Sequence, residues 1–185
     1  MKRIGWLVLL LFFTGCTGKT DEIERGMALR SSLLSAESCR FDAEITADYG
    51  DKVYTFTLSC MGNAKGDLTF EVKQPESIAG ITGKIDAQGG KLTFDDTVLH
   101  FDWMADGQIS PISAPWIMFH TLRSGYLRAA GREEGFLRLT IDDTYEEDAL
   151  QLDIWLGERD LPVRCEMLYA DRRILSLNIV NFQIL

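Results

Sequence analysis

The sequence predicts one domain built mainly from antiparallel β-strands that form a curled sheet. From residue 39 onward, apolar and polar residues alternate in short segments, which is typical of strands with one buried and one wet face. No long helical segments separate these strands, so antiparallel pairing is favoured. Glycines inside several segments indicate bulges or bends that let a sheet curl. An N-terminal amphipathic helix and a short apolar helical insert complete the predicted fold.

The first residues predict export and lipid anchoring. Lys2 and Arg3 precede the short apolar run 4–13, as in a signal peptide, and the run is shorter than the roughly 20 residues that cross a bilayer. Phe13-Thr14-Gly15-Cys16 resembles the bacterial lipobox, which implies cleavage before Cys16 and a diacylglyceryl chain on its thiol. A plain secreted protein is the alternative. We expect a signal peptide (1–15), a lipidated Cys16, a tether (16–20) and a single domain (21–185).

The charge balance disfavours nucleic acid as a partner. The chain has 19 basic and 28 acidic residues and a formal net charge of −9, and cleavage would remove two basic residues but no acid. Too few cations remain to neutralise phosphates in quantity. Flat binding to anionic headgroups is disfavoured for the same reason, so acyl chains would have to hold the protein at the extracytoplasmic face of the cell membrane.

Residues 21–34 predict an amphipathic helix. Acidic residues in its first turn suit the helix dipole. One side carries an apolar stripe made of Ile23, Met27 and Leu34, with Ala28 or Leu33 beside them. We expect the helix to lie on another surface through this stripe.

Residues 39–47 and 54–60 predict a hairpin with one buried face, joined at Tyr49-Gly50-Asp51. A two-residue loop at Tyr49-Gly50 would place Cys39 opposite Cys60 on the buried face, where they could form a disulfide. A loop at Gly50-Asp51 would move the two cysteines apart. Two small unbonded core residues are the alternative to the disulfide.

Further strands are predicted on both sides of an apolar insert, at residues 68–74, 78–87, 91–94, 98–103, 126–130, 136–141, 150–156, 161–169 and 174–182. The insert at 111–122 is the densest bulky apolar segment after the signal peptide. Pro115 suits the first turn of a helix, and Gly125 would end it. This helix is apolar nearly all round, so it must be covered on more than one side.

No residue pattern indicates catalysis, a cofactor or a metal. His100 and His120 lack partners at metal-ligand spacing, and hydrolase, phosphate-loop and dinucleotide motifs are absent. The acidic hairpin at 142–148 lacks the internal glycine of a calcium loop. Cys165 lies on an inward strand face with no histidine nearby, as in an inert packing thiol. We expect a protein that is not an enzyme.

Aromatic and methionine side chains supply the candidate ligand-binding residues, which are Trp103, Met104, Trp116, Met118, Phe119 and Leu122. Such side chains together can line an adaptable apolar pocket. An ordinary packed core is the alternative. A curled sheet capped by a short apolar helix favours the pocket, because side chains need not fill its interior.

Three stretches of the chain resemble the Lol-type carrier and receptor superfamily, which includes germination lipoproteins of spore formers. They are residues 66–94, the insert 113–125, and 161–166 leading to 173–177. The resemblance implies a strongly curved, incomplete barrel wrapped around helices, with an apolar cavity. It also implies proteins that shuttle or receive lipoproteins.

Two functions follow as expectations. In the first, a membrane-anchored, non-catalytic protein holds an acyl chain or another lipid group between its concave sheet and the helix at 116–122. In the second, the same fold is a docking scaffold for an exported envelope or spore-cortex protein, which binds by strand pairing at an exposed sheet edge.

Overall fold

The computed structural model describes residues 18–50, 52–95, 97–105, 108–146 and 149–185, and it confirms the mainly β fold. Helix α1 spans Gly18–Ser35 and helix α2 spans Ala114–Ser124. Neither helix has the length and hydropathy of a bilayer-crossing segment. The predicted signal peptide and Cys16 lie outside the described residues. In chain order, the strands are β1 Ser38–Asp48, β2 Val53–Asn63, β3 Leu68–Gln74, β4 Thr82–Asp86, β5 Gly89–Phe94, β6 Thr97–Phe101, β7 Met104–Ala105, β8 Gln108–Ile109, β9 Tyr126–Glu133, β10 Phe136–Asp142, β11 Gln151–Leu156, β12 Pro162–Tyr169 and β13 Arg172–Ile184.

Eleven of these strands form one antiparallel sheet that does not close into a barrel. Its order is β6-β5-β4-β3-β2-β1-β13-β12-β11-β10-β9, so the first and last strands of the chain pair at its centre. β6 and β9 are the two open edges, and β7 and β8 form a separate small ribbon. We call the face that carries the helices the inner face and the opposite one the outer face.

The strict alternation of β1 shows how the sequence builds the core. Phe41, Ala43 and Ile45 point to the inner face and are fully buried, whereas Arg40 and Glu44 on the outer face are exposed. The same two-residue period continues in the neighbouring strands, and the inward residues join the helices in one hydrophobic cluster. This is the single core of the described domain.

Helix α1 packs through a face that the apolar stripe did not indicate. The helix begins at Gly18, within the predicted tether, and buries Gly26, Leu29 and Leu33. A Cβ on Gly26 would lie only 2.9 Å from Leu139 Cδ2, so glycine allows close approach to the sheet. Of the residues expected on or beside the stripe, only Leu33 is buried, and the stripe itself does not pack on the domain.

The β1–β2 hairpin has the second of the two expected registers. Cys39 pairs with Gly62 instead of Cys60, so the expectation that the two cysteines lie opposite each other is wrong. The loop forms one residue later, and Gly50 at its first position adopts a φ of +89°, which glycine readily takes. Its N–H donates to Asp48 Oδ1 over 2.8 Å and fixes this turn.

The consequence is that no disulfide joins these strands. Cys39 and Cys60 occupy diagonal positions, and such positions are roughly 7–8 Å apart, beyond the usual span of a disulfide. Together with Cys165 they are free, buried thiols.

Candidate ligand-binding site

Helix α2 fills the middle of the inner face with the residues expected to bind a ligand. Eight of its eleven residues are buried, and Trp116, Met118, Phe119 and Leu122 are among them. As expected, Pro115 lies in its first turn and the Gly125 N–H closes its last turn by donating to Thr121 O. The side chain of Met104 lies outside the described residues. The structure therefore brings four of the six candidates together as packed side chains.

Bonds from both ends hold α2 in place. Trp116 Nε1 donates to Gly66 O over 3.0 Å, which ties the N-terminal end to the β2–β3 turn. At the other end, Arg30 of α1 donates to Leu122 O over 2.8 Å. Arg123 donates to Leu33 O and to Ala64 O, each over 2.7 Å, so one guanidinium joins α1, α2 and the same turn. These bonds fix how α2 sits against the sheet.

The inner face continues beyond α2 and loses its cover toward the edge strand β6. One row of directly paired inner-face residues crosses six strands, and it runs Phe41, Cys60, Phe70, Gly83, Leu92 and Leu99. The first three side chains are buried, Leu92 is half-buried, and Leu99 is 61% exposed. The residues of this row remain apolar in the part of the sheet that the helices do not cover. An uncovered apolar surface inside a folded domain is a candidate binding surface.

We call this uncovered end the open shelf and define it as Leu92, Phe94, Leu99, Phe101 and Trp103. Phe94 is 60% exposed, Trp103 is 36% exposed, and the other members lie between the core and solvent or are exposed. All four strand residues lie on β5 or β6 and face inward. The sequence indicated the alternation of these strands, but it did not indicate that the helices would leave them uncovered.

Two glycines leave room for aromatic rings to lie on the sheet in this region. A Cβ on Gly83 would lie 2.3 Å from Phe70 Cζ, and one on Gly90 would lie 2.1 Å from Phe101 Cζ. The rings can therefore lie directly on the backbone of the neighbouring strand only because both positions are glycine. The expected role of Gly83, as a glycine inside a predicted strand, was to let the sheet curl. The structure shows in addition that the missing side chains of Gly83 and Gly90 leave room for aromatic rings on the sheet.

Trp103 connects the open shelf to α2. Its ring centroid lies 5.0 Å from that of Trp116, which in turn stacks on His120 at 4.9 Å. Desolvation lowers the pKa of His120, and the nearby Arg123 cation lowers it further. The imidazole is therefore mainly neutral at pH 7 and extends the aromatic stack without adding a charge.

The outer face carries a different depression. A trough of about 670 Å³ crosses the outer side of β1–β6. Its lining includes the basic residues Arg40, Lys84 and Lys91, the acidic Glu71, and the side chains of His100, Met61 and Val98. Lys84 Nζ lies 2.8 Å from Asp67 Oδ2, so part of this charge is neutralised. None of the six candidate residues from the sequence lines this trough in the described part of the chain.

A second outer-face cluster was missed by sequence reasoning. Trp155 is buried between Arg138 and Arg164, whose guanidinium carbons lie 5.3 and 3.8 Å from its ring centroid. The buried Asp153 accepts bonds from Arg138 at 2.6 Å and Thr140 at 2.7 Å. Arg138 and Thr140 lie on β10, the strand that pairs with β11, so their bonds to Asp153 stabilise strand pairing. An aspartate and a tryptophan on the outward side of an otherwise apolar strand were the available signal.

Metal-ligating side chains and cysteine thiols are the reactive groups that the described residues allow to be assessed. No group of three or more metal-ligating side chains occurs among them. Burial raises the pKa of Cys39 to about 11 and raises those of Cys60 and Cys165 well above the usual thiol value. All three thiols therefore stay protonated at neutral pH, and a protonated thiol is a poor nucleophile.

The fold and its surfaces define an open antiparallel sheet wrapped against two helices. No protein-family model matches the sequence, and no curated protein matches it. Among solved structures, a putative outer membrane lipoprotein-sorting domain from Vibrio parahaemolyticus is 9% identical with a TM-score of 0.48, and the match covers 90% of this chain and 92% of that one. A LolA superfamily protein from Nitrosomonas europaea is 8% identical with a TM-score of 0.46, covering 86% and 93%.

The lipoprotein LppX from Mycobacterium tuberculosis also matches, with 10% identity, a TM-score of 0.42, and coverage of 88% of this chain and 93% of that one. Of these three, the Nitrosomonas europaea protein carries the name of the superfamily that the sequence resembles. At such identities and TM-scores the matches transfer no function to this chain.

Proposed function

We propose that this chain is a lipid-anchored, non-catalytic protein of the bacterial cell envelope that binds an apolar group on its open shelf. An acyl chain is the ligand that fits this chemistry. The observation that carries the proposal is the inner-face row that remains apolar from Phe41 to Leu99 while its cover ends at β5. Burying apolar surface of this kind is the main source of affinity for lipids.

The shape of the surface supports an elongated ligand. From Phe70 on β3 to Leu99 on β6 the row spans three strand spacings, or roughly 15 Å. Trp103 follows the end of β6 by two residues, and its ring lies 5.0 Å from that of Trp116. A ligand on the shelf would contact Trp103, whereas Met118, Phe119 and Leu122 would support it from the core without touching it.

The anchor is part of the same proposal. Residues 1–15 would be removed as a signal peptide, and Cys16 would carry the diacylglyceryl chain that holds the domain at the outer surface of the membrane. Because the chain is strongly acidic, anchoring would depend on the acyl chains and would not require anionic headgroups.

Quenching of tryptophan fluorescence by a brominated fatty acid tests the ligand. Trp103 is the half-exposed tryptophan of the described chain, whereas Trp116 and Trp155 are buried, so binding at the shelf should quench mainly Trp103. The Trp103→Phe variant should lose most of that quenching while still binding the fatty acid by equilibrium dialysis. Absence of saturable binding by the purified protein would contradict the proposal.

A docking function is the second candidate, and the unpaired edge of β6 favours it. β6 pairs only with β5 in the described sheet, and its backbone groups on the other side are free to pair with a strand from another protein. A photo-crosslinking residue in place of His100, on the outer side of this edge, distinguishes lipid binding from docking. One recurrent crosslinked protein and no bound lipid would favour docking.

A further inference from the structure

The exposed stripe of α1, defined as Ile23, Met27 and Leu34, has no partner in the described domain. These side chains are 44%, 46% and 53% exposed. Positions 23, 27 and 34 fall on one side of a helix, because residues four and seven apart stack along it. The stripe thus extends along one side of most of α1.

Contacts on both flanks fix the direction in which the stripe points. On one flank the Arg25 guanidinium bonds the carboxylate of Asp160, and on the other Arg30 donates to Leu122 O over 2.8 Å. The packed side with Leu29 and Leu33 lies between these contacts and is buried against the sheet and α2. The helix cannot roll to bury the stripe without breaking both contacts and unpacking the core.

We propose that the stripe lies in the interfacial layer of the membrane and holds the domain with α1 against the bilayer. This inference rests on the proposed lipidation of Cys16. Cys16 precedes the first helical residue, Gly18, by two positions, which span at most about 7 Å. Ile23 then lies roughly 8 Å further along the helix axis, at 1.5 Å per residue. An anchor at this position brings the stripe to the bilayer before any other part of the domain.

The apolar side chains of the stripe are suited to contact lipid and not a charged surface. Its three members are uncharged and apolar, and Ser31 beside them adds no cation. Three half-exposed side chains are too few to bind a membrane unaided, and stable association normally needs a second signal. In this protein the acyl anchor supplies the attachment and the stripe sets the orientation.

Site-specific labelling of the lipidated full-length protein tests the orientation. Met27→Cys places a thiol on the stripe, and Ser32→Cys places one on an exposed position on the far side of the same helix. The native thiols Cys39, Cys60 and Cys165 are buried, so an environment-sensitive dye labels the introduced cysteine. The labelled proteins are incorporated into phosphatidylcholine vesicles, with or without bromine on the acyl chains.

We expect brominated lipid to quench the dye at position 27 at least threefold more strongly than the dye at position 32. Equal quenching in protein that floats with the vesicles would overturn the orientation and leave the anchor intact. If the protein made with its signal peptide in a lipoprotein-processing host does not float, the anchor and the orientation both fail. Circular dichroism of each variant checks that the domain is folded.

Discussion

Truncation of Leu99 measures how much the open shelf contributes to binding. Full burial of a leucine side chain contributes about 1.5–3 kcal/mol, and 61% of Leu99 remains to be covered. A ligand lying on it therefore gains roughly 1–2 kcal/mol from this residue. Leu99→Ala should raise the dissociation constant for a brominated fatty acid about 5- to 30-fold. The folded state should change little, because an exposed side chain contributes less than about 0.5 kcal/mol to stability.

The preceding residue provides the matched control. Val98 lies on the same edge strand and is 53% exposed, but it faces the outer trough. Val98→Ala removes similar apolar surface from the opposite face and should leave the dissociation constant within about twofold, since roughly 0.4 kcal/mol corresponds to that factor. Both constants come from the same fluorescence titration. Equal weakening by the two variants would show that the shelf is not the binding face.

Three further measurements address α2, its histidine and the thiols. Arg123→Gln removes two carbonyl bonds and should lower the free energy of unfolding in urea by about 2–4 kcal/mol, whereas Arg128→Gln, at a surface ion pair, should cost less than about 1 kcal/mol. The folded state lowers the pKa of His120 below 6.5, so the unfolded chain protonates first and stability should fall as pH drops through that value. His120→Gln should flatten this part of the pH profile. A thiol reagent at pH 8 should find no reactive cysteine in the folded mature protein but three after unfolding without reductant, and a single reactive thiol would reveal a disulfide.

The hairpin shows how much of the fold the sequence can determine. Alternation of apolar residues places Phe41, Ala43 and Ile45 on one face, and their complete burial confirms that reading. The pattern does not choose between two loops that differ by one residue, because both keep the same side chains inside. The choice depends on whether Gly50 is the first or the second residue of the loop, and the pairing of Asp48 with Val53 shows that it is the first.

The packing face of α1 does not follow from its sequence pattern, for a related reason. Residues 23, 27 and 34 are bulkier than the Gly26, Leu29 and Leu33 face that actually packs, so hydropathy alone favoured the wrong side. Close approach matters more than side-chain size where Gly26 meets Leu139. A single sequence cannot reveal which face a partner offers. It also cannot reveal where the cover provided by a helix will end on the sheet.

The position of the open shelf follows from the distribution of the helices between the two halves of the sheet. Helix α1 packs on β9 and β10, where Gly26 meets Leu127 and Leu139, and α2 occupies the centre beside α1. The two helices therefore cover the inner face at its centre and over β9 and β10. The opposite end of the sheet, at β5 and β6, is covered by neither helix. Selection normally removes exposed apolar residues beside an unpaired edge, because they promote aggregation. Phe94 and Leu99 nonetheless lie exposed at such an edge. A surface with this cost is best explained by use, and an acyl chain covering it would remove the liability while it occupied the site.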